Sequence, residues 1–308
     1  MRIAVPDLVS NSYFPAVAAV ELGFFKDQGV DVELEMIFPV GRAMQALRDG
    51  DIDFVAGPAH ATPSVFPGWL GAKLLAALAQ HTFWLLVLRA DLGVQPGDVA
   101  AVKGRRIGAA PGPDAALRRL LAEAGVDPER DGVALGPVPG SGEPGVSFGV
   151  HAAGALEEGT IDGFWANAMG AEVAVRSGIG FVALDPRRGI GPPAARDYTF
   201  AALVATDRLI AENPAAARGA VLATMAAQQA LRADPSLAAG IGRRLFPPDE
   251  AHLIEELVRR DASCYTPEIA PESVASLNEF CRNIGSLSGD VAYEQVVASE
   301  FTHLWAER

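Results

Sequence analysis

The sequence is poor in the residues that mark redox, metal and nucleic-acid chemistry. Its 308 residues include only two cysteines, Cys264 and Cys281, which fit neither a CxxC motif nor a zinc-ligand spacing. Its 25 basic residues are outnumbered by 38 acidic ones, and the net charge of −13 argues against nucleic acid and anionic membrane surfaces as partners. No apolar run approaches the roughly 18 residues that a membrane-spanning helix needs, so we expect no membrane insertion.

What remains describes a globular chain, with 50% hydrophobic and 20% charged residues over a length that favours two domains. The first residues, Met1-Arg2-Ile3-Ala4-Val5, resemble a buried strand more than a basic segment followed by an apolar leader. We therefore expect a periplasmic or other extracytoplasmic location if a leader is missing from this chain, and a cytoplasmic one otherwise.

One stretch of the sequence occurs twice. Residues 46–60 and 155–169 share Ala-Leu, Gly and Ile-Asp at a constant offset of 109 positions. Each copy predicts the end of a helix, a glycine stop at Gly50 or Gly159, a short buried strand and a loop. Two ordinary helix–strand units of any α/β protein would also fit this pattern. A second repeated sequence pattern favours two similar lobes. Arg105-Arg106-Ile107 repeats the pattern of Arg2-Ile3 at the start of a strand.

These repeats predict the domain organisation. The first lobe is expected over residues 1–88 and 199–308, because a strand near residue 200 returns to it and is followed by helices. The second lobe is expected over residues 89–198. Leu74–Leu88 predicts two strands separated by a polar break.

The specific signal lies in residues 13–32, where Ala19-Val20-Glu21-Leu22-Gly23-Phe24-Phe25 and Gly29 precede a predicted strand. This stretch, the two helix–glycine–Ile-Asp units and Lys103-Gly104-Arg105-Arg106-Ile107-Gly108 resemble the NMT1/THI5-like substrate-binding proteins of nitrate, sulfonate and taurine ABC transporters. The resemblance covers most of residues 2–235. It implies a type II periplasmic-binding-protein fold, with two α/β lobes around a ligand cleft and two interlobe crossings. It also implies an ABC permease as partner and a small organic ligand.

Ligands of open α/β sheets bind at the loops that follow the strands, and helix N-termini there favour anions. The loop after the first strand contains Ser10-Asn11-Ser12-Tyr13, where simple helix capping is an equal alternative. In lobe two, Asp114 stands where sulfonate-type relatives carry small hydroxyl residues. A carboxylate there competes with an anionic ligand for the same amides, receives a ligand amine, or stabilises its own helix. The predicted ligand-binding residues are Ser10, Asn11, Tyr13, His60, Gln80, His81, Gly112, Asp114, Trp165 and Asn167.

Among these residues, Trp165 is expected to form an aromatic wall of the cleft. His60 and His81 are expected to donate hydrogen bonds to a ligand or to accept them from it. No third residue at a recognisable spacing predicts a metal site, and no cofactor motif or catalytic residue is predicted.

The predicted function is therefore a solute-binding protein that delivers a small organic molecule to an ABC importer. The alternative is a cytoplasmic enzyme on the same scaffold, of the pyrimidine-precursor, decarboxylase or desulfinase type, using His60 and His81. Against it, a desulfinase would need a cysteine near the first helix, and both cysteines follow residue 260.

Overall fold

The residues that the structure describes contain ten strands, which form two five-stranded sheets. A computed structural model describes residues 1–143 and 145–306 of the chain. The strands are β1 (Arg2–Val5), β2 (Glu33–Met36), β3 (Phe54–Pro58), β4 (Ala72–Ala79), β5 (Leu85–Arg89), β6 (Arg106–Ala109), β7 (Ala134–Gly136), β8 (Gly163–Ala166), β9 (Gly180–Leu184) and β10 (Ala201–Thr206).

Thirteen α-helices connect and cover these strands within the described residues. They are α1 (Phe14–Glu21), α2 (Phe24–Asp27), α3 (Val40–Asp49), α4 (Thr62–Val65), α5 (Pro113–Glu123), α6 (Phe148–Glu157), α7 (Ala168–Arg176), α8 (Asp207–Glu212), α9 (Pro214–Ala233), α10 (Leu237–Leu245), α11 (Pro248–Asp261), α12 (Pro271–Asn283) and α13 (Tyr293–Val296). None of the described helices is long and apolar enough to cross a lipid bilayer.

Unit 1 is built from two separate parts of the chain, Met1–Gln80 and the segment from Thr199 onward. Its sheet has the order β2-β1-β3-β10-β4, in which β10 runs antiparallel to both of its neighbours. Strands β3 and β4 are almost fully apolar, as expected for strands that are buried on both faces. Helix α12 adds Leu277 and Cys281 to a hydrophobic core that also contains Leu74 and Ala77 of β4.

Unit 2 is the continuous segment His81–Tyr198, with Pro144 outside the described residues. Its sheet has the order β7-β6-β8-β5-β9, and β5 runs antiparallel to β8 and β9. Helices α6 and α7 pack so closely that a side-chain atom on Gly170 would stand 2.3 Å from the carbonyl oxygen of Gly149. Only glycine at residue 170 permits this approach.

The predicted boundary after residue 88 is wrong by eight residues. Strand β5 pairs with β8 and β9, so residues 81–88 belong to unit 2 rather than to the first lobe. The polar break between the strands therefore marks the point where the chain passes from one unit to the other. The chain returns to unit 1 at Thr199. The last two residues of the predicted first lobe, 307 and 308, lie outside the described part of the chain.

The repeated helix–glycine–strand pattern is confirmed in both units. Gly50 follows α3 with φ of 82°, and Gly159 ends the turn after α6 with φ of 71°. The aspartate three positions after each glycine then accepts a backbone N–H from a neighbouring parallel strand, β1 in unit 1 and β6 in unit 2. Asp53 Oδ2 lies 2.7 Å from the nitrogen of Arg2, and Asp162 Oδ2 lies 2.8 Å from the nitrogen of Arg106.

Candidate functional site

The carboxyl ends of β1, β3 and β4 meet at one edge of the unit 1 sheet. Strand β10 begins at the same edge, because Ala201 pairs with Pro58 and with Ala79. The loops at this edge, which we call the unit 1 edge, comprise residues 7–13, 59–62, 80 and 199–200. It is the place where an open α/β sheet binds a ligand.

The loop after β1 is held from the C-terminal half of the chain. The amide of Asn11 donates to Asp261 Oδ2 at 2.6 Å, and the hydroxyl of Tyr265 donates to the carbonyl of Asn11 at 2.6 Å. Tyr13, at the start of α1, is buried, and this burial and the nearby charge of Asp7 raise the pKa of its phenol well above 10. Asn11 therefore anchors the loop, and Tyr13 stays protonated.

Three hydroxyls at this edge have no hydrogen-bond partner among the described residues. The Oγ atoms of Ser10 and Ser12 follow β1, and Thr62 Oγ1 follows β3 at the start of α4. All three side chains are almost fully buried, with at most 1% of their surface exposed. A buried hydroxyl without a partner costs about 1–3 kcal/mol, so native proteins rarely leave three in one place. These three hydroxyls could form hydrogen bonds with a polar group that the described polypeptide does not supply.

His60 is buried in the loop after β3, at the same edge, and is hydrogen-bonded within unit 1. Its Nδ1 lies 3.1 Å from Thr199 Oγ1, and its ring packs edge-on against Phe280 at 5.4 Å between centroids. The predicted part of His60 in ligand binding stays a prediction. The contact with Thr199 shows how its ring orientation is set.

Gln80, at the carboxyl end of β4, has a structural role. Its side-chain amide donates to the carbonyls of Thr266 and Glu268, at 3.4 and 2.7 Å. Its backbone nitrogen donates to the carbonyl of Cys264. Gln80 thus fixes the segment before α12 against the sheet, and its predicted contact with ligand remains untested.

The corresponding edge of the unit 2 sheet, the unit 2 edge, lies where β6, β8 and β9 end and β5 begins. Residues 82–84 immediately precede β5, whose Leu85 pairs with Ala166 at the end of β8. Thr82 Oγ1 is fully buried and lacks a hydrogen-bond partner within the described part of the chain. Phe83 and Trp84 follow with ring centroids 4.4 Å apart.

Trp165 lies in this aromatic group and is fully buried. Its indole N–H donates to the carbonyl of Pro113 at 3.1 Å, and its ring centroid is 6.4 Å from that of Trp84. Trp165 thereby joins the end of β8 to the first turn of α5. No part of the surface of Trp165 is exposed. Its expected contribution to ligand affinity stays a prediction.

Gly112 and Asp114 form a local cap at the start of α5. The Oδ1 atom of Asp114 accepts the backbone N–H of Gly112 at 3.0 Å, and Oδ2 lies 3.3 Å from Arg118. The chain's own carboxylate therefore occupies an amide that an anion at this helix end would use. This geometry matches the helix-stabilising alternative that the sequence left open.

Asn167 caps the next helix of unit 2. Its Oδ1 accepts the backbone N–H groups of Met169 and Gly170 at 3.1 and 3.2 Å, which satisfies the first turn of α7. Like Asp114, it uses its acceptor on its own backbone. Its predicted contact with ligand is untested.

His81 is the first residue of unit 2, and both of its ring nitrogens have protein partners. Nδ1 lies 2.7 Å from Asp197 Oδ1, and Nε2 lies 2.8 Å from Arg196 Nη2. Burial lowers the pKa of His81, with smaller lowering contributions from Arg196 and Arg187 that Asp197 opposes. His81 has φ of 64°, which is rare outside glycine.

The structure thus separates the predicted residues into two groups. Ser10, Asn11, Tyr13 and His60 come together at the unit 1 edge, whereas Gly112, Asp114, Trp165 and Asn167 lie at the unit 2 edge. Sequence reasoning missed Thr62 and Thr82 and treated Ser12 only as part of the capping loop. No sequence signal distinguishes a hydroxyl that lacks a partner from one that has a partner, because the partner comes from tertiary contacts.

Chemistry based on a thiolate or a metal has little support among the described residues. Burial raises the pKa of the Cys281 thiol to about 12, so it remains protonated near neutral pH. Cys264 is partly buried in the turn after α11. The described residues contain no group of three or more His, Cys, Asp or Glu side chains that could hold a metal ion.

Solved structures of the same fold include a protein from Bordetella bronchiseptica RB50, with a TM-score of 0.77 and 22% identity over 99% of this chain and 96% of that one. The periplasmic sulfonate-binding protein SsuA from Methylobacillus flagellatus KT gives a TM-score of 0.68 and 17% identity over 99% and 93%. The desulfurization enzyme DSZB, solved as a mutant in complex with biphenyl-2-sulfinic acid, gives 0.66 and 17% over 99% and 98%. No curated protein matches the chain in sequence.

These neighbours establish the fold of periplasmic solute-binding proteins for this chain, as the sequence resemblance predicted. A binding protein and an enzyme both occur among them, so fold alone does not choose between the two activities. The family model describes a sequence pattern instead, and it matches residues 8–243, which include every strand except β1. On that match, the chain belongs to the NMT1-like family.

Proposed function

We propose that this protein is the solute-binding component of an ABC import system and binds a small organic molecule at the unit 1 edge. The observation that carries the proposal is the set of buried hydroxyls of Ser10, Ser12 and Thr62, which lack partners among the described residues. A ligand placed at this edge would satisfy these groups. The ligand cleft expected from the sequence remains a prediction, as does an ABC permease as partner.

The charges around these loops favour a ligand that donates hydrogen bonds over a strong oxyanion. Asp7 and Asp261 are buried carboxylates in and against the loop after β1. In unit 2, Asp114 occupies the Gly112 amide at the start of α5. Nitrate or a sulfonate would meet negative charge at either edge, whereas N–H or O–H groups can be accepted by carboxylate and hydroxyl oxygens. We therefore propose an uncharged or amine-bearing organic ligand.

The enzyme alternative has weaker support. General acid–base catalysis requires a group whose pKa and partners suit proton transfer, and nucleophilic catalysis requires an activated nucleophile. His60 is bonded to a threonine hydroxyl, and His81 is engaged at both ring nitrogens. The thiol of Cys281 is kept protonated by burial. Binding without turnover is the simpler use of these groups.

Native mass spectrometry of the purified protein tests the proposal. We expect an additional small mass that dissociates on collisional activation, and that molecule, added back to stripped protein, should be recovered chemically unchanged. The triple variant Ser10→Ala, Ser12→Ala, Thr62→Val should lose the mass while its melting temperature is retained. The matched control Ser236→Ala, at an exposed turn before α10, should keep it.

The ligand class is tested with methanesulfonate and its uncharged analogue methanesulfonamide, together with 2-aminopyrimidine. We expect thermal stabilisation by the uncharged N–H donors and none by the sulfonate. Stabilisation by the sulfonate alone would contradict the ligand class and leave the binding function standing. A folded protein that carries no co-purified molecule and responds to no compound would contradict the binding function itself, as would chemical conversion of the ligand.

A further inference from the structure

The two ends of unit 2, where the chain enters it and leaves it, are joined by backbone and side-chain hydrogen bonds. Residues 81–82 enter unit 2 after Gln80, and residues 196–197 approach its end at Tyr198. The backbone N–H of Thr82 donates to the carbonyl of Arg196 at 2.8 Å. The imidazole of His81 bridges Asp197 and Arg196, as described above. We call these two segments and the contacts between them the crossing clasp.

The partners of His81 determine its protonation state. A guanidinium has N–H donors and no acceptor, so Nε2 of His81 must accept from Arg196 and cannot carry a proton. Nδ1 therefore carries the only ring N–H proton and donates a hydrogen bond to Asp197. The clasp requires one neutral tautomer, and a second proton on Nε2 would set two donors against each other 2.8 Å apart.

The backbone of the clasp depends on these contacts. His81 has φ of 64°, a backbone conformation that is unfavourable for a residue other than glycine and that surrounding contacts must offset. Its carbonyl accepts from Arg187 Nη2 at 3.2 Å, and the carbonyl of Arg187 accepts from Arg196 Nε at 3.5 Å. The charged groups that act on the imidazole are thus Arg187, Arg196 and Asp197. Two of the three are cations, which disfavours a charged ring.

We propose that His81 is a proton-controlled clasp, closed when the imidazole is neutral and opened when mild acid protonates it. The segment it controls leads directly to Thr82, Phe83 and Trp84 at the unit 2 edge. Opening of the clasp is a property of unit 2 and can be measured without any ligand.

The sign of the pH dependence follows from linkage. The pKa of His81 is lowered in the closed clasp, whereas an open clasp returns it towards the ordinary value of 6.5. Above 6.5 both forms are neutral and the clasp has its full stability. As pH falls from 6.5 towards the lowered pKa, the open form binds the extra proton, so the stability of the clasp decreases by about tenfold in equilibrium constant per pH unit.

Nuclear magnetic resonance of the full-length protein labelled with ¹⁵N tests the proposal. We expect the imidazole of His81 to carry its proton on Nδ1 at pH 7.5 and to titrate below 6.5. The hydrogen-exchange protection factor of the Thr82 amide, which removes the intrinsic pH dependence of exchange, should fall about tenfold per pH unit in that window. An Nε2–H tautomer, a charged ring at neutral pH, or protection that is independent of pH would overturn the proposal.

Variants of the two partners distinguish a clasp from a merely buried histidine. Arg196→Gln removes a facing cation and should raise the pKa of His81, whereas Asp197→Asn removes the anion and should lower it. The matched control His252→Gln, at an exposed position of α11, should change neither the titration of His81 nor the protection of Thr82. Shifts of the same sign in both partner variants would contradict the assignment. The tautomer in wild-type protein decides the question if either variant fails to fold.

Discussion

Unit 1 and unit 2 contain the same sheet, with equivalent strands in the same order. The order β2-β1-β3-β10-β4 in unit 1 corresponds to β7-β6-β8-β5-β9 in unit 2, and the antiparallel strand occupies the fourth position in each. The polar groups at the two carboxyl edges are used differently. At the unit 1 edge, Ser10, Ser12 and Thr62 keep hydroxyls that no described residue satisfies. At the unit 2 edge, Asp114 and Asn167 bond to their own backbone, and the hydroxyl of Thr82 is the exception that lacks a partner among the described residues.

On the proposed function, the two edges serve different tasks. Local caps stabilise the helices that begin at the unit 2 edge, so those polar groups contribute to folding. The unsatisfied hydroxyls of the unit 1 edge lower stability until something else satisfies them. Stability and ligand affinity should therefore respond in opposite ways to mutation at the two edges, and the following predictions test this contrast.

The largest effect is expected within unit 2, at the close approach of α6 and α7. Gly170→Ala would place a side-chain atom 2.3 Å from the carbonyl oxygen of Gly149, and backbone must move to relieve it. We expect a loss of about 3 kcal/mol in urea unfolding, at the upper end of overpacking costs. The control Gly154→Ala lies on the same helix pair with open space around it and should gain about 0.5–1 kcal/mol. Equal effects of the two substitutions would contradict the packing described for unit 2.

The repeated aspartates give the next effect. Asp162 accepts the backbone N–H of Arg106 and a two-pronged contact from its guanidinium, whereas Asp53 accepts only the N–H of Arg2 among the bonds described for it. We expect Asp162→Ala to cost about 2 kcal/mol and Asp53→Ala about 1 kcal/mol in urea unfolding. The reverse ranking would contradict the difference between the two repeats.

The same comparison has a pH dependence. Hydrogen bonds from Arg106 lower the pKa of Asp162 from 3.8 to about 2. The stabilising contribution of Asp162 is therefore complete above pH 3.8 and is lost as pH falls through about 2. Urea unfolding of wild type and Asp162→Asn should differ most at neutral pH and converge in this acid range.

A smaller loss is expected at the helix cap of the unit 2 edge. Asn167 Oδ1 satisfies two N–H groups in the first turn of α7. Asn167→Ala should cost about 1 kcal/mol, measured by thermal unfolding, while Asn167→Asp retains an acceptor and most of the stability. Loss of ligand without loss of stability in Asn167→Ala would show that this residue belongs with the binding groups instead.

The smallest effect on stability is expected at the unit 1 edge. Thr62→Val keeps the shape of a buried side chain whose hydroxyl has no partner in the described chain, so unfolding should be unchanged or slightly more difficult. Thr206→Val is the matched control, because Thr206 Oγ1 accepts the N–H of Leu209 at the start of α8. It should lose about 1 kcal/mol. A comparable loss in Thr62→Val would mean that its hydroxyl is satisfied by the folded chain.

Local patterns were sufficient to predict much of the fold. The polar break at residues 80–82 separates β4 from β5, and Gly50 and Gly159 adopt the expected positive φ. Pairing between strands was not predictable in the same way. Residues 85–88 are all apolar, and an apolar strand of this kind would suit the interior of either sheet. Only their pairing with β8 assigns them to unit 2. The boundary was therefore misplaced.

The candidate site was less accessible to sequence reasoning, for a related reason. Phe164 and Trp165 alternate along β8, and alternation predicts one buried and one open side chain only when one face of a sheet is open. Both are fully buried here, and helices α5, α6 and α7 pack against strands of this sheet. Likewise, Asp114 bonds to an amide two residues away, a choice that depends on the unusual backbone of Gly112.

The position of β10 has a consequence for synthesis of the chain. Strand β10 lies between β3 and β4, yet it emerges only after all of unit 2 has been made. Nascent unit 1 must therefore remain without the strand between β3 and β4, although β1–β4 leave the ribosome before unit 2 does. Unit 2 is continuous and can complete its sheet earlier, which reverses the usual tendency of N-terminal domains to fold first.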